Sequence, residues 1–126
     1  METNINEITV NGVQYVRKDS IKDARPPINK DGLPYVIIRS RDSGVHAGYL
    51  KKRNSIASVT LVDSRRLWQW SGAATLSQLA EEGVKKPEDC KFPMPVHEIE
   101  IIGICEVSKC TELARKSIEG VKIWKT

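Results

Sequence analysis

The sequence predicts an α+β fold, in which an antiparallel β-sheet meander is flanked by two short helices in a single domain. Turn-forming residues, Asn11-Gly12 and Asp42-Ser43-Gly44, separate runs of apolar residues, which is typical of antiparallel hairpins. Two stretches in the second half of the chain place apolar residues at helical spacing and end at a glycine, Gly83 or Gly120. A chain of 126 residues has the length of one domain.

The first predicted element is a hairpin over residues 7–17, because Asn-Gly between apolar residues favours a type I′ turn with positive φ at both positions. Residues 18–33 are polar and contain Arg25-Pro26-Pro27, so we expect a loop there. The domain, residues 1–126, thus begins with an N-terminal hairpin and loop, residues 1–33, and continues as a core, residues 34–126.

A second hairpin is predicted over residues 34–53, where a strongly apolar run precedes a turn. A further turn at Asn54-Ser55 leads into a long strand over residues 56–70, which we expect to bend near Asp63-Ser64. Short turns join these strands, so the sequence predicts a meander of three antiparallel strands.

The first helix is predicted over residues 75–82. Thr75 is a candidate N-cap, and Gln78, three residues later, completes a capping box. Gly83 suits the end of this helix, because glycine adopts positive φ freely. The apolar face comprises Leu76, Leu79 and Ala80.

A loop rich in lysine and proline is predicted over residues 84–96, followed by a buried strand from His97 to Val107. Residues 109–119 are expected to form the second helix, which ends at Gly120. Residues 121–125 are expected to return as a short last strand. The apolar face of the second helix comprises Cys110, Leu113, Ala114 and Ile118.

The composition restricts the classes of partner. A formal net charge of +4 is small for a protein that coats a polyanion, and suits an anionic ligand in a pocket or weak contact with nucleic acid. No apolar run approaches the ~20 residues that cross a bilayer, and the N-terminus lacks an apolar signal-peptide segment. Three cysteines, an odd number, argue against a disulfide framework. We therefore expect a cytosolic protein with no membrane partner.

The stretch from Arg65 to Gly83 is the centre of the functional prediction. Strand side chains alternate between two faces, so Arg66, Trp68 and Trp70 share one face and Arg65 lies on the other. The tryptophans are explained by core packing, or by a platform on which a base stacks while a guanidinium holds a phosphate. The paired arginines favour the second interpretation, and the sequence leaves both open.

Further cations and one more aromatic residue extend this prediction. Arg39 continues a strand face that is otherwise apolar, so its guanidinium needs an anionic partner or solvent. Phe92, between a lysine and a proline, either caps an aromatic ligand or plugs the edge of the core. Together these side chains fit a pocket for a nucleotide-like anion. The set comprises Arg39, Arg65, Arg66 and Arg115 with Trp68, Trp70 and Phe92.

The sequence offers no evident reacting group beside them. His46 has small neighbours and either contacts a ligand or is a structural histidine, while His97 lies in a separate strand. A Gly-x-x-x-x-Gly-Lys phosphate loop is absent. The cysteines and His97 lack the spacing of a zinc site. We therefore predict a binding protein that is not an enzyme and has neither a metal nor a cofactor.

Six segments of the sequence match the pattern of one known family, and they are Tyr35–Arg39, Ser43–Leu50, Arg65–Ala73, Leu76–Ala80, Cys90–Pro93 and Cys110–Glu112. Together they resemble the first type of Thoeris anti-defence protein, a family of small phage proteins, over roughly residues 34–126. Members of that family sequester the cyclic ADP-ribose isomer that a bacterial TIR-domain enzyme makes as an alarm signal. Some also hold the cyclic di- and trinucleotides of the CBASS system at a second site.

The resemblance implies binding without cleavage, assembly into homo-hexamers, and a place in the cytoplasm of the infected bacterial host. It implies cyclic nucleotide second messengers as partners and no stable nucleic-acid partner. On this resemblance, Arg39, Phe92 and Arg115 form the cyclic ADP-ribose pocket. Arg65 and Arg66 read phosphate at a second site between subunits.

Two other functions stay open at this point. One is a hydrolase of such nucleotides, with His46 or His97 as the general base. The other is a small nucleic-acid-binding module, whose affinity would fall steeply with salt.

Overall fold

The structure of the protein, a computed structural model, describes residues 31–125 and the backbone of two N-terminal strands, β1 (Glu7–Val10) and β2 (Val13–Tyr15). These strands pair antiparallel, which confirms the pairing that the hairpin prediction requires. The Asn11-Gly12 turn between them lies outside the described residues, as does most of the loop predicted over residues 18–33.

A five-stranded antiparallel sheet and two helices make up the rest of the described chain, which confirms the predicted α+β fold. The predicted three-stranded meander is also confirmed, because β3, β4 and β5 are neighbours in sequence and in the sheet. The strands are β3 (Tyr35–Ser40), β4 (Gly44–Ser55), β5 (Ser58–Arg66), β6 (Val96–Ile102) and β7 (Ile104–Lys109), in the order β6-β5-β4-β3-β7. The pairing register of β4 and β5 shifts where the bend was predicted, next to Asp63, whose φ is +51°.

The first helix, α1 (Leu76–Glu82), has the predicted caps at both ends. Thr75 Oγ1 accepts a hydrogen bond from Gln78 N (3.1 Å), and Gln78 Oε1 accepts one from Ala74 N (2.9 Å). Gly83 ends the helix with φ +77°. The capping box is therefore confirmed, with the glutamine reaching one residue further back than the standard box does.

The second helix, α2 (Glu112–Glu119), begins three residues later than predicted, because Thr111 is its N-cap. Leu113 was expected on its apolar face, but this side chain is 63% exposed, so that assignment was wrong. A short 3₁₀ helix, Pro87–Asp89, lies in the loop before β6. No helix among the described residues is long and apolar enough to span a bilayer.

The sheet curls so that its two edges meet at Gly103. β6 and β7 are opposite edges of the sheet, yet Gly103 alone separates them in sequence. Two residue steps span at most ~7 Å, whereas the edges of a flat five-stranded sheet lie ~19 Å apart. Gly103 has φ +79°, its N–H donates to Ala57 O (2.8 Å), and its carbonyl accepts from Arg41 N (3.0 Å). One strand was predicted here, and the structure corrects this to two strands.

Both faces of the sheet carry apolar clusters, so the interior strand β3 is buried on both sides. One face packs against α1 and α2 through Tyr35 and Ile37, and the inside of the curl holds Val36 and Ile38. The edge strand β6 is mostly exposed, contrary to the predicted buried strand. The strand predicted over residues 121–125 reduces to a single bridge between Ile123 and Phe92.

Candidate functional site

The end of β5 and the segment after it carry the candidate site. Arg66 is the last residue of β5 and lies opposite His46 of β4. The chain continues beside β4, held by a hydrogen bond from Leu67 N to Val45 O (2.9 Å). Leu67 is buried, whereas Arg66 and Trp68 are exposed, so the predicted alternation continues past the end of the strand.

A hollow of about 370 Å³ lies between this segment and the β3–β4 turn, and we call it the tryptophan hollow. Arg66, Trp68 and Trp70 all line it, as does Leu67. Trp70 also packs against the core cluster that contains Leu67, so it does not lie wholly on the face of Arg66. Trp68 is 61% exposed, and Trp70 is half-buried. An open indole beside a guanidinium suits a ligand with a flat ring and a negative charge.

The Arg66 guanidinium is open to a ligand as far as the described residues go. Its side chain makes no hydrogen bond or ion pair with any of them. By contrast, Arg39 lies 3.9 Å from Glu106, and Arg41 lies 3.3 Å from Asp42. An unpaired arginine keeps all five N–H donors available for a phosphate.

A second hollow, of about 300 Å³, adjoins the first at Arg66, and we call it the isoleucine hollow. It shares Asp42, Ser43 and Arg66 with the tryptophan hollow, and His46 and Glu100 also line it. The isoleucines that line it are Ile99, Ile101 and Ile102 of β6. Ile102 pairs with Ser58, the first residue of β5, whereas Arg66 is the last residue of that strand. The curl of the sheet must therefore bring Ile102 and Arg66 to one hollow.

His46 is a buried part of the wall between β4 and the β3–β4 turn. It is 2% exposed, and its Nε2 lies 2.9 Å from Ser43 O, so Nε2 carries the proton and donates it. Burial lowers the pKa of His46, the hydrogen bond to Ser43 opposes this, and the charge of Arg66 lowers it further. A neutral ring that fixes the turn agrees with the structural interpretation of His46.

Arg65, predicted to read phosphate, is instead an internal anchor. It is 3% exposed, and its guanidinium donates to four backbone carbonyls. The distances are 3.1 Å from Nε to Pro93 O, 2.8 Å from Nη2 to Phe92 O, and 3.0 and 2.7 Å from Nη1 to Ile118 O and Val121 O. These bonds tie the end of α2 and the loop before β6 to the sheet, so no surface of Arg65 faces a ligand in this chain.

Phe92 and Arg115 are also held inside the fold. Phe92 is fully buried, with the Arg65 guanidinium carbon 5.5 Å from its ring centre. Arg115 pairs with Glu112 and Glu119, and the hydrogen bond to Glu112 is the main reason that its pKa is raised. Neither residue lines the tryptophan or the isoleucine hollow, and Arg39 does not either.

The remaining titratable side chains form no evident centre for chemistry. His97 is exposed, with Nδ1 3.7 Å from Asp63 Oδ1. Cys90 and Cys110 are buried and Cys105 is exposed. Within residues 31–125, no three His, Cys, Asp or Glu side chains gather in a way that could hold a metal ion.

Sequence reasoning missed the β3–β4 turn and β6 as parts of the site. Asp42 and Ser43 were recognised only as turn residues, and the β6 isoleucines only as a buried strand. The turn lies beside Arg66 because the register of β4 and β5 sets His46 opposite Arg66, whereas the approach of the β6 isoleucines depends on the curl at Gly103.

A family described as a domain of unknown function (DUF6948) matches residues 33–118. The chain belongs to this family. No curated protein and no solved structure matches the chain significantly. The DUF6948 match runs from Leu33 through most of α2, so it contains every residue that lines the two hollows. It also contains Arg65 and three of its four carbonyl partners, whereas Val121 lies beyond it. Strands β1 and β2 lie outside it.

Proposed function

We propose that this DUF6948 protein is a binding protein that holds a cyclic nucleotide signal at Arg66 and Trp68 without cleaving it. In biological terms the proposal is the one that the Thoeris resemblance implies: a phage protein that captures immune signals in the infected host. The observation that supports it is the guanidinium of Arg66, which has no side-chain partner within residues 31–125, beside the open ring of Trp68 in a hollow large enough for a ring.

The energetics suggest that the ligand is covered by more than one chain. Stacking one base contributes ~1–3 kcal/mol, and each charge-assisted hydrogen bond from Arg66 contributes ~1.5–3 kcal/mol. Association costs ~4–15 kcal/mol, whereas nanomolar sequestration requires about −12 kcal/mol. One protomer with a shallow hollow supplies too little, so the proposal includes a homo-oligomer in which a second protomer closes over the ligand.

The arrangement of the histidines favours holding over hydrolysis. His46 lines the isoleucine hollow, but the residue is only 2% exposed, and burial lowers its pKa, which makes the ring a weaker base. A general base must reach the proton that it abstracts, or reach it through one water. His97, which the hydrolase alternative also names, lines neither hollow.

The test is calorimetric titration of the purified protein with cyclic ADP-ribose and cyclic di-AMP. We expect Arg66→Gln and Trp68→Ala each to weaken binding of the preferred ligand by at least about tenfold. Arg53→Gln is the matched control, since Arg53 is an exposed arginine near the other end of β4 and lines neither hollow. Wild-type affinity in Arg66→Gln would overturn the assignment of the site.

Native mass spectrometry of the same samples reports the oligomer and the bound mass together. Heating the complex and separating the released compound checks its integrity, and a cleaved product would replace sequestration with hydrolysis. Affinity that falls steeply with salt, for oligonucleotides and not for the cyclic compounds, would instead indicate the nucleic-acid-binding module.

A further inference from the structure

We infer that the two hollows hold two rings of one ligand at the same time, with a phosphate that joins them on Arg66. The ligand class is then a dinucleotide or a similar phosphodiester with two rings, and not a mononucleotide. This inference depends on the proposed function, because it assigns parts of the ligand to the two sides of Arg66.

The first argument is the junction. The tryptophan and isoleucine hollows have Asp42, Ser43 and Arg66 in common, so a ligand in either one reaches the same guanidinium. Ligand pockets typically measure ~300–1,000 Å³. Each hollow, at about 370 and about 300 Å³, lies near the lower limit of this range, whereas the two together fall within it.

The second argument is the chemistry of the two walls. The tryptophan hollow offers indole rings, and the isoleucine hollow offers aliphatic side chains with Ile102 69% exposed. Both surfaces suit the apolar face of a ring better than they suit a charged group. Arg66 stands between them as the group that a phosphate would contact.

The third argument is the charge around the junction. The Asp42 carboxylate is paired with Arg41 at 3.3 Å, and the Glu100 carboxylate accepts a hydrogen bond from Ser58 Oγ at 2.8 Å. The Glu100 carboxylate lines the isoleucine hollow and not the tryptophan hollow, so like-charge repulsion disfavours a phosphate inside the isoleucine hollow. The isoleucine hollow therefore suits a ring, and the place for a phosphate is at Arg66, between the two hollows.

The experiment compares adenylyl-(3′→5′)-adenosine, which has two rings and one phosphate, with 5′-AMP, which has one of each. We expect the dinucleotide to bind the wild-type protein at least about tenfold more tightly. Ile102→Ser removes an exposed apolar wall of the isoleucine hollow, so it should remove most of that difference. Ile56→Ser, at a fully exposed isoleucine outside both hollows, is the matched control and should behave as the wild type.

Each outcome supports or overturns the inference. Equal affinities for the two probes, or an unchanged difference in Ile102→Ser, would overturn the two-ring assignment and leave the Arg66 site intact, provided that Arg66→Gln still abolishes binding. Failure of both probes and of the cyclic nucleotides to bind at all would overturn the proposed function together with this inference.

Discussion

Replacing Arg65 by methionine should destabilise the protein severely. The guanidinium donates to the carbonyls of Phe92, Pro93, Ile118 and Val121, at 2.7–3.1 Å, in a place that solvent hardly reaches. Methionine fills much of the volume but donates nothing, so the carbonyls of Pro93 and Val121 lose their hydrogen-bond donor. Phe92 O keeps the bond from Trp124 N (3.0 Å), and Ile118 O keeps the bond from Val121 N (3.3 Å). Leaving a buried polar group unsatisfied costs ~1–3 kcal/mol, so two such carbonyls set the expected loss at about 4 kcal/mol.

A loss of that size is a large fraction of the ~5–15 kcal/mol by which domains are stable. At about 4 °C for each kcal/mol in a chain of this length, the unfolding temperature should fall by ~15 °C. Urea unfolding followed by tryptophan fluorescence measures the change directly. Lysine at this position should rescue little, since an ammonium lacks the planar fork that serves four carbonyls at once.

Arg66→Met is the matched control, because it changes the adjacent arginine in the same way. Arg66 is exposed and unpaired among the described side chains, so its replacement should alter the free energy of unfolding by less than about 0.5 kcal/mol. The two variants should also separate in binding assays, since Arg66→Met stays folded but loses the ligand. If Arg65→Met unfolded at the wild-type urea concentration, the anchor role of Arg65 would be refuted.

Three further predictions concern buried groups and tight turns. Burial raises the pKa of Tyr35, so the stability that depends on its neutral form is present below about pH 10 and is lost as the pH rises further. Tyr35→Phe deletes a hydroxyl that has no partner within the described residues, so the free energy of unfolding at pH 7 should stay the same or rise, and its loss at alkaline pH should become smaller. A clear destabilisation at pH 7 would contradict this prediction. Burial also raises the pKa of Cys110 to about 12. A thiol reagent should therefore modify exposed Cys105 in the folded protein and reach Cys110 only in denaturant. Equal modification rates for Cys105 and Cys110 in the folded protein would refute the burial of Cys110. Gly83→Ala should lower the free energy of unfolding more than Gly32→Ala does. Both glycines have positive φ, but only the new methyl at position 83 would meet another side chain, 2.4 Å from Ser117 Cβ. Equal losses in thermal unfolding would argue against the packing of α1 on α2.

Local features of the fold could be predicted because neighbouring residues produce them. Thr75 and Gln78 cap α1 through their own side chains, and Gly83 ends it through its own backbone freedom. The alternation that put Arg66 and Trp68 on one face follows from strand geometry alone. The β3–β5 meander was predictable for the same reason, since short turns leave adjacent strands little choice of partner.

Which arginine and aromatic side chains stay accessible to a ligand could not be predicted in the same way. Alternation separates Arg65 from Arg66, but it cannot say which of the two faces the helices. The carbonyls that accept hydrogen bonds from Arg65 belong to residues 92, 93, 118 and 121, which lie far from it in sequence. Phe92, left open between ligand contact and core, is buried by packing against these same distant segments.

The sequence by itself determined the class of the fold, the caps of α1, and the exposed side that Arg66 and Trp68 share, since these depend on residues a few positions apart. Tertiary structure alone decided that Arg65 is an anchor, that Arg66 has no side-chain partner among the described residues, and that β6 comes to Arg66. The physical reason is that both depend on distant parts of the chain. Arg65 contacts carbonyls of segments that follow it by 27 positions or more, and the curl at Gly103 brings the β6 isoleucines to the isoleucine hollow.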